Sequence, residues 1–570
     1  MLSGIGISEG IGIGKAYVVR NETAQYSRLS LISAAEELSR YKAAAAIFCD
    51  VTNQMALALK SSTDQSNADI LAAQIMIVQD ESFEDAVGYK ISEGFTAEAA
   101  LESAADYYIE LFNESDDELI RQRAADIIDL KNRLTDILLN RKDTGLFFLP
   151  NACILVVDEL LPSMLTAVKK ADVHAIVTRN GGKSSHAAIL ARALGIPAVS
   201  GIEGLFEIIN DGEQMVVDGS LGRVYENADE QTIAEYIRRS AAMHIEDEEL
   251  RHFLKPETYT RDMQKMYIYS NIAGYDEAVH ACSVKAEGIG LLRTEGLFMN
   301  RYEAPDEEEQ YEQYKSIADL MSGAPIVIRT LDIGGDKPVG CLKLPVDEAN
   351  PFLGFRAIRY CLADKDVFKT QIRAILRAGA GRSGLRIMIP FITCVDEVKA
   401  AKAMIEEAKT ELAEEKIPYA ADIKVGIMAE TPAAVFNIDL LGRYVDFFSI
   451  GTNDLVQYVM AADRGNINVS GLYSFYQPAV LRAIKAIISA GEKCGCEVEM
   501  CGEAAADLKL VPVLLGFGLK KFSVTSAFVL RVRREIARWD MHTAEEISEQ
   551  VMSLETEQEV STFLESMSMR

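Results

Sequence analysis

The chain has 570 residues, with 58 Lys and Arg against 86 Asp and Glu, a formal net charge of −28 at pH 7. Hydrophobic residues make up 49% and charged residues 25%, ordinary globular values that exclude collagen-like and disordered chains. The acid excess argues against nucleic acid and anionic membranes as partners, since both need a basic footprint.

The first residues, MLSGIGISEGIGIG, lack the basic and strongly apolar regions of a signal peptide. The Gly-rich, β-forming segment to about Val19 reads as one or two short strands. Ser33 and Glu36 form a capping box, after which Leu38, Tyr41, Ala45 and Phe48 follow at helical spacing. Helical texture continues to about Arg141, with Leu119, Ile127, Leu130, Leu134 and Ile137 in one stripe suited to bundle packing. Strand-like runs return at 152–157 and 174–178, with a helix from about Ser185 to Leu194 and a β-rich stretch over 214–225. These pieces predict a small α/β domain into which the helical block is inserted. A charged amphipathic helix over 229–254 stops before Lys255-Pro256, which marks a boundary.

Beyond it, apolar runs alternate with helical stretches: 266–272, 288–293, 325–330, 385–390, 424–428, 446–450, 497–501 and 521–524. Unbroken apolarity indicates strands buried on both faces, and eight such strands with intervening helices fit a (β/α)8 barrel of the TIM type. The segment from Met541 to the end holds seven Glu and one Arg and reads as a solvated helix. Nine dispersed cysteines do not form a disulfide framework, and Cys494, Cys496 and Cys501 have no second Cys or His group near enough for a zinc site. No apolar run approaches the ~20 residues of a bilayer span, so a cytoplasmic protein without membrane insertion is expected.

A barrel of this kind carries its functional groups at the C-terminal ends of its strands. The strand ends here hold Arg293-Thr294-Glu295, Arg329 to Lys337, Glu430-Thr431-Pro432, Gly451-Thr452-Asn453-Asp454 and Cys501-Gly502-Glu503. One charge at a strand end is an ordinary solvated loop residue, but these five ends together put Arg, Arg, Glu, Asn-Asp and Cys on one rim. Arginine forks suit phosphate and carboxylate. Glu430 and Asp454 are ligands of the kind Mg2+ takes when substrate oxygens fill its other positions. Cation and arginines together can neutralise charge developing in phosphoryl transfer, and the Cys501 thiol can exchange a proton with an enolate.

A second constellation is Gly181-Gly182-Lys183-Ser184-Ser185-His186, followed by an Ala/Leu-rich helix. Two glycines permit a tight turn, Ser184 or Ser185 can cap the helix, and His186 falls in its first turn. Free N–H groups and the helix dipole there favour an anion, which disfavours an imidazolium and suits a phosphorylated imidazole. The other histidines lack such a setting: His174 sits in an apolar strand, and His244, His252, His280 and His542 lie in charged helical stretches.

In these motifs the chain resembles the enzyme I family of the bacterial sugar phosphotransferase system, among the phosphoenolpyruvate (PEP)-utilising enzymes. The resemblance spans essentially the whole chain. It is carried by GGKSSHAAILARALGIPAVSG (181–201), RTEGLFM (293–299), RTLDIGGDK (329–337) and NPFLGFRAIR (350–359). GIMAETPAA (426–434), DFFSIGTNDLVQY (446–458), DRGN (463–466) and CGEAAAD (501–507) complete it. It implies a swivelling phosphohistidine α/β domain over 1–25 and 145–228 and a helical domain over 26–144 that binds the carrier protein HPr. It further implies a linker helix over 229–258 and a PEP-binding, dimerising (β/α)8 barrel over 259–570.

The implied activity is PEP–protein phosphotransfer. His186 would accept the phosphoryl group and pass it to a histidine of HPr, pyruvate would leave, and sugar uptake would follow downstream. Arg293, Arg329, Asn453 and Arg464 would hold phosphate and carboxylate, with Lys337 and Arg356 nearby. Glu430 and Asp454 would bind Mg2+, and Cys501 would protonate the enolate carbon. The family is a homodimer through the barrel, and His186 would visit both barrel mouth and carrier by a swivel about the 229–254 helix. Ser184 stands where Thr is common, Arg179 for Asp, Gln74 for His, Leu161 for Thr, and Val524-Thr525 for Met-Ser. None of these removes a chemical group from the scheme. The residues before His186 are mostly helical and carry no Gly-rich nucleotide loop, unlike the ATP-using dikinase and synthase of the same group.

Overall fold

Unbroken apolar runs become strands covered on both faces, and this happens twice along the chain. The computed structural model describes all residues except 20–25, 62–64, 114–117, 141–148, 151, 161–163, 165–167, 169–170, 182–187, 189–190, 192–193, 300, 302, 335–338, 346–347, 465, 467 and 569–570. It divides into two units, Met1–Glu246 and Asp247–Arg570.

In the first unit β1 (Leu2–Ser3), β2 (Ile5–Ser8), β3 (Ile11–Val18), β4 (Cys153–Val157), β5 (Val173–Thr178), β6 (Ala198–Ser200), β7 (Gln214–Asp218) and β8 (Arg223–Tyr225) share one sheet. Its order is β1-β8-β7-β3-β4-β5-β6-β2. Strands β3 to β6 run parallel, and β1, β2, β7 and β8 pair antiparallel. Along β4, Leu155 and Val157 join one core with Ile176, while Ile154 and Val156 join another with Val177. Two apolar faces leave no polar position in the run, as in a parallel sheet. The N-terminal segment makes three strands rather than the expected one or two. Its glycines let it run against neighbouring backbone: a Cβ on Gly12 would stand 2.3 Å from the His174 carbonyl oxygen.

Between β3 and β4 the chain forms α1 (Ala34–Ser61), α2 (Gln65–Val78), α3 (Glu81–Ser92), α4 (Ala97–Asn113) and α5 (Glu118–Leu138). The capping box closes as expected: the Glu36 N–H donates to Ser33 Oγ at 3.3 Å and the Ser33 N–H to Glu36 Oε2 at 3.0 Å. Tyr41, Phe48, Val87, Leu101, Leu130 and Leu134 meet in one core. Ile137 packs at its edge, and the side chain of Leu119 lies outside the described residues. Gln74 is fully buried and ties α2 to α5. Its Nε2 donates to Asp126 O at 3.1 Å and Asp129 Oδ2 at 3.0 Å, and its Oε1 accepts from Arg133 Nη1 at 3.3 Å. After β8 comes α6 (Glu230–Arg251), capped by Asp229, whose Oδ1 accepts from the Thr232 N–H at 2.7 Å.

The second unit closes a parallel ring from β10 (Lys265–Ile272), β11 (Ile289–Leu292), β12 (Ile326–Arg329), β13 (Leu385–Ile389), β14 (Lys424–Ala429), β15 (Phe447–Ile450), β16 (Glu497–Met500) and β17 (Lys521–Thr525). Strand β17 pairs back onto β10, and β9 (Thr258–Tyr259) adds a short antiparallel piece beside β10. All eight strands fall on the eight apolar runs. Leu291, Val327, Met388, Met428, Phe447 and Cys501 fill the lumen, while Ile328, Ile387, Ile427, Ile450 and Met500 face the helices. Each such buried side chain is worth about 1.5–3 kcal/mol, against about 0–1 kcal/mol for an exposed ion pair, so apolar burial holds the ring.

The end of the chain differs from the solvated helix expected. It forms two helices, Met541–Ser553 and Glu557–Ser568, and Ala544, Ile547, Val551, Val560 and Leu564 join the barrel core. The glutamate count hides an apolar stripe at helical spacing, and that stripe supplies the packing face.

Candidate active site at the barrel mouth

Parallel strands aim their last residues at one mouth, and here those residues are charged. Arg329 ends β12 and is only 8% exposed. Its Nη2 donates to Glu295 Oε1 at 2.7 Å, its Nη1 lies 2.9 Å from Asp332 Oδ2, and its buried Nε has no hydrogen-bond partner. Arg356 is 6% exposed. Its Nη2 reaches Asp332 Oδ1 at 2.8 Å and Asp454 Oδ2 at 3.2 Å, and its Nη1 donates to the Tyr458 hydroxyl at 3.1 Å. The guanidinium stacks 4.7 Å over the Phe391 ring, and its Nε is again buried without a partner. Burial opposes both charges, but the neighbouring carboxylates outweigh it and raise both pKa values. Gly334, at φ +112°, lets its loop pass this cluster: a Cβ there would lie 2.6 Å from Arg356 Cβ.

Glu430 follows β14, is 2% exposed, and accepts the Phe391 N–H on Oε1 at 2.7 Å. Its Oε2 faces Gly451, where a Cβ would come within 2.6 Å. Burial, then Asp454 and Asp332, push its carboxyl well above the usual range despite Arg329 and Arg356. Asp454 sits in the first turn of the helix Thr452–Met460, 3.9 Å from Arg464 Nη1. Crowded carboxylates of this kind fit a divalent cation. Among the described residues no group of three or more His, Cys, Asp and Glu forms a ready metal cluster. A two-carboxylate set is what Mg2+ uses when substrate and water complete its shell.

Cys501 continues β16 into the lumen, 4% exposed, and its thiol accepts the Ser449 hydroxyl at 3.2 Å. Burial pushes that thiol up to about 11. Asn453 and Glu503 lock each other: Asn453 Nδ2 donates to Glu503 Oε1 at 2.9 Å, and the Glu503 N–H donates to Asn453 Oδ1 at 3.0 Å. Arg293 stands exposed at the end of β11 and makes no ion pair among the described residues. The structure therefore brings Arg329, Arg356, Glu430, Asp454, Asn453, Arg464 and Cys501 to one mouth, with Arg293 on its rim. Lys337 and His186 lie outside the described residues.

Sequence reasoning missed the bracing groups Glu295, Asp332 and Tyr458. Glu295 and Asp332 stood in the quoted strand-end motifs, but only the fold reveals that they hold the arginines. In the first unit, Gly181 has φ +121° and its carbonyl accepts Ser200 Oγ at 2.9 Å, while the rest of the predicted turn from Gly182 lies outside the described residues. Arg179 is neutralised by Asp158, Nε to Oδ1 at 2.7 Å and Nη2 to Oδ2 at 2.9 Å.

Fold and mouth define a class: a (β/α)8 enzyme whose rim is built to take a small polyanion. Family comparison sharpens it. The PEP-utilising enzyme, PEP-binding domain matches residues 247–541, the N-terminal domain of those enzymes matches 3–123, and their mobile domain matches 149–222. The phosphoenolpyruvate-protein phosphotransferase of Bacillus subtilis (strain 168) is 38% identical over 99% of this chain and 99% of its own. The proteins of that name from Priestia megaterium and Staphylococcus carnosus (strain TM300) are 37% and 36% identical, each over 99% of this chain and 98% of its own. A solution structure of Enzyme I (nEIt) matches 43% of this chain and 100% of its own at 28% identity, with a TM-score of 0.38, too low to carry a structural argument. The chain belongs to the PEP-utilising enzyme family.

Proposed function

We propose that this chain is a phosphoenolpyruvate–protein phosphotransferase that moves the phosphoryl group of PEP to His186 and on to a histidine of HPr. The observation that carries the reading is the pair of buried guanidiniums, Arg329 and Arg356, each braced by carboxylates and each keeping a buried Nε without a hydrogen-bond partner, with the Cys501 thiol in the field of Arg329. Relatives named for this activity match over nearly the full chain.

In this scheme Arg293, Arg329, Arg464 and Asn453 bind the phosphate and carboxylate, and Arg356 and Lys337 add positive charge. Glu430 and Asp454 would hold Mg2+, which when bound supplies charge neutralisation to the phosphoryl oxygens. His186 Nε2 attacks phosphorus as the bond to the enol oxygen breaks, and the Cys501 thiol gives its proton to the enolate carbon, yielding pyruvate. Residues 1–25 and 145–228 form the phosphohistidine domain, 26–144 dock HPr, 229–258 link, and 259–570 bind PEP and pair as a homodimer. The chemistry requires His186 to reach both PEP and HPr, which the swivel provides. The location assigned is the cytoplasm; among the described residues no helix is long and apolar enough to cross a membrane.

Incubation with phosphorus-labelled PEP and Mg2+ tests this. Acid-labile, base-stable label that is lost in His186→Ala and chased onto HPr is the expected result; undiminished label in that variant overturns it.

A further inference from the structure

The lumen of the barrel contains a carboxyl group that the proposed reaction has not used. Glu499 lies two residues before Cys501 on β16, so both side chains point inward, Glu499 one layer deeper. It is 1% exposed, and its Oε1 has no hydrogen-bond partner. Its register partner on β15 is Ser449, the residue whose hydroxyl donates to Cys501 Sγ at 3.2 Å. Its register partner on β17 is Lys521, but the Lys521 ammonium is engaged by Glu497 at 2.6 Å. Arg386 on β13 is likewise paired with Glu497. Among the described residues, Tyr269 on β10 also faces this carboxyl, together with Cys501 and Glu497 on either side of it along the chain.

An unpaired buried carboxylate is too costly to keep ionised, so the group holds its proton. Burial pushes Glu499 up to about 8, against the pull of Lys521 and Arg386. A neutral acid thus lies one layer beneath a thiol on the same face, and the hydroxyl that donates to that thiol belongs to its register partner on the next strand.

We propose that Glu499 is the proton store that returns the Cys501 thiolate to a thiol in each turnover, through the Ser449 hydroxyl. This rests on the reading that Cys501 protonates the enolate. The thiolate left by that step takes the hydroxyl proton of Ser449 as Ser449 Oγ takes the carboxyl proton of Glu499, whose side chain turns toward its register partner to make that contact. The products are a Cys501 thiol, an intact Ser449 hydroxyl and a Glu499 carboxylate. That carboxylate faces Lys521 and Arg386 and recovers one proton from solvent before the next turnover. The net balance is enolate plus one solvent proton to pyruvate. Carboxylic acids are stronger acids than thiols, so the transfer runs downhill to the thiolate. Glu499 touches no substrate and acts through Cys501, so it is a positioning residue for the proton.

Glu499→Gln keeps size and removes the proton. With enzyme in excess over PEP, when the thiol is already charged, the variant is expected to form pyruvate within about twofold of the parent. With PEP and HPr in excess its steady-state rate is expected to fall by at least ~tenfold at pH 7, in the range of general acid–base effects. The parent's loss of rate as pH rises through about 8, where Glu499 ionises, should disappear in the variant, and Glu499→Asp should restore part of both. A steady-state rate and pH profile equal to the parent's overturn the proposal, as does a single-turnover rate that falls as far as the steady-state rate. Cys501→Ser, run alongside, separates the two readings. Full pyruvate formation by that variant defeats the role of Cys501 itself. An inactive Cys501→Ser beside an unaltered Glu499→Gln defeats the relay alone.

Discussion

At the base of the barrel, Glu497 receives Lys521 at 2.6 Å, Lys424 at 3.2 Å and Arg386. Burial would raise its carboxyl, but Lys521 and Arg386 outweigh that and hold it down at about 2. At the mouth, at the opposite end of the ring, Arg329 and Arg356 keep buried Nε atoms without partners, and Glu430 is driven upward by burial and by Asp454 and Asp332. The base satisfies its charges internally. The mouth leaves donors and a strained carboxylate set for a ligand to complete, which costs stability and creates a site.

That contrast predicts that substitutions at the mouth remove activity with little effect on folding, and that substitutions at the base cost folding stability. The largest effect is expected for Cys501→Ala. Pyruvate formation should fall ~10²–10⁴-fold by coupled assay, with the melting temperature nearly unchanged because a small apolar side chain still fills the lumen. Next comes Arg329→Lys, which keeps the charge but loses the fork. A fall of ~10²–10³-fold in kcat/KM is expected, and a change below tenfold would break the comparison at the mouth.

Glu497→Gln should sharpen it at the base. The Glu497 pKa is depressed in the fold, so its contribution to stability is present above the unfolded carboxyl value of about 4.3 and is lost as pH falls toward about 2. The side chain is 35% exposed, so after screening the loss at pH 7 is about 1–2 kcal/mol, read by denaturant unfolding. That part of the acid sensitivity should vanish in the variant. The smallest effect, about 1 kcal/mol on the helical block and none on PEP binding, belongs to Ser33→Ala, which opens the capping box; calorimetry reads it.

The eight strands were legible because burial on both faces removes most polar positions, and no other common element produces eight short, mainly apolar runs in that rhythm. The rim residues were legible because strand ends carry the chemistry of such a barrel. The bracing was not, since Glu295 and Asp332 could equally have been solvated loop charges. The terminal helices were misjudged for the same reason: seven glutamates dominate the composition, while Ala544, Ile547 and Val551 need a partner surface before their spacing means anything.

From its own residues, then, the chain determined the barrel, the inserted helical block and the set of groups at the mouth, because periodicity and strand-end position are local properties. Tertiary closure decided which of those groups are paired and which are left wanting. Glu499 shows this most plainly. In sequence, Glu497-Val498-Glu499-Met500 is an alternating pattern that could belong to a half-solvated strand, with both glutamates in water. Only the closed ring makes the inward face dry, pairs Glu497 with three cations at the base, and leaves Glu499 alone beneath a thiol, because burial is a property of the whole ring of strands and not of any one of them.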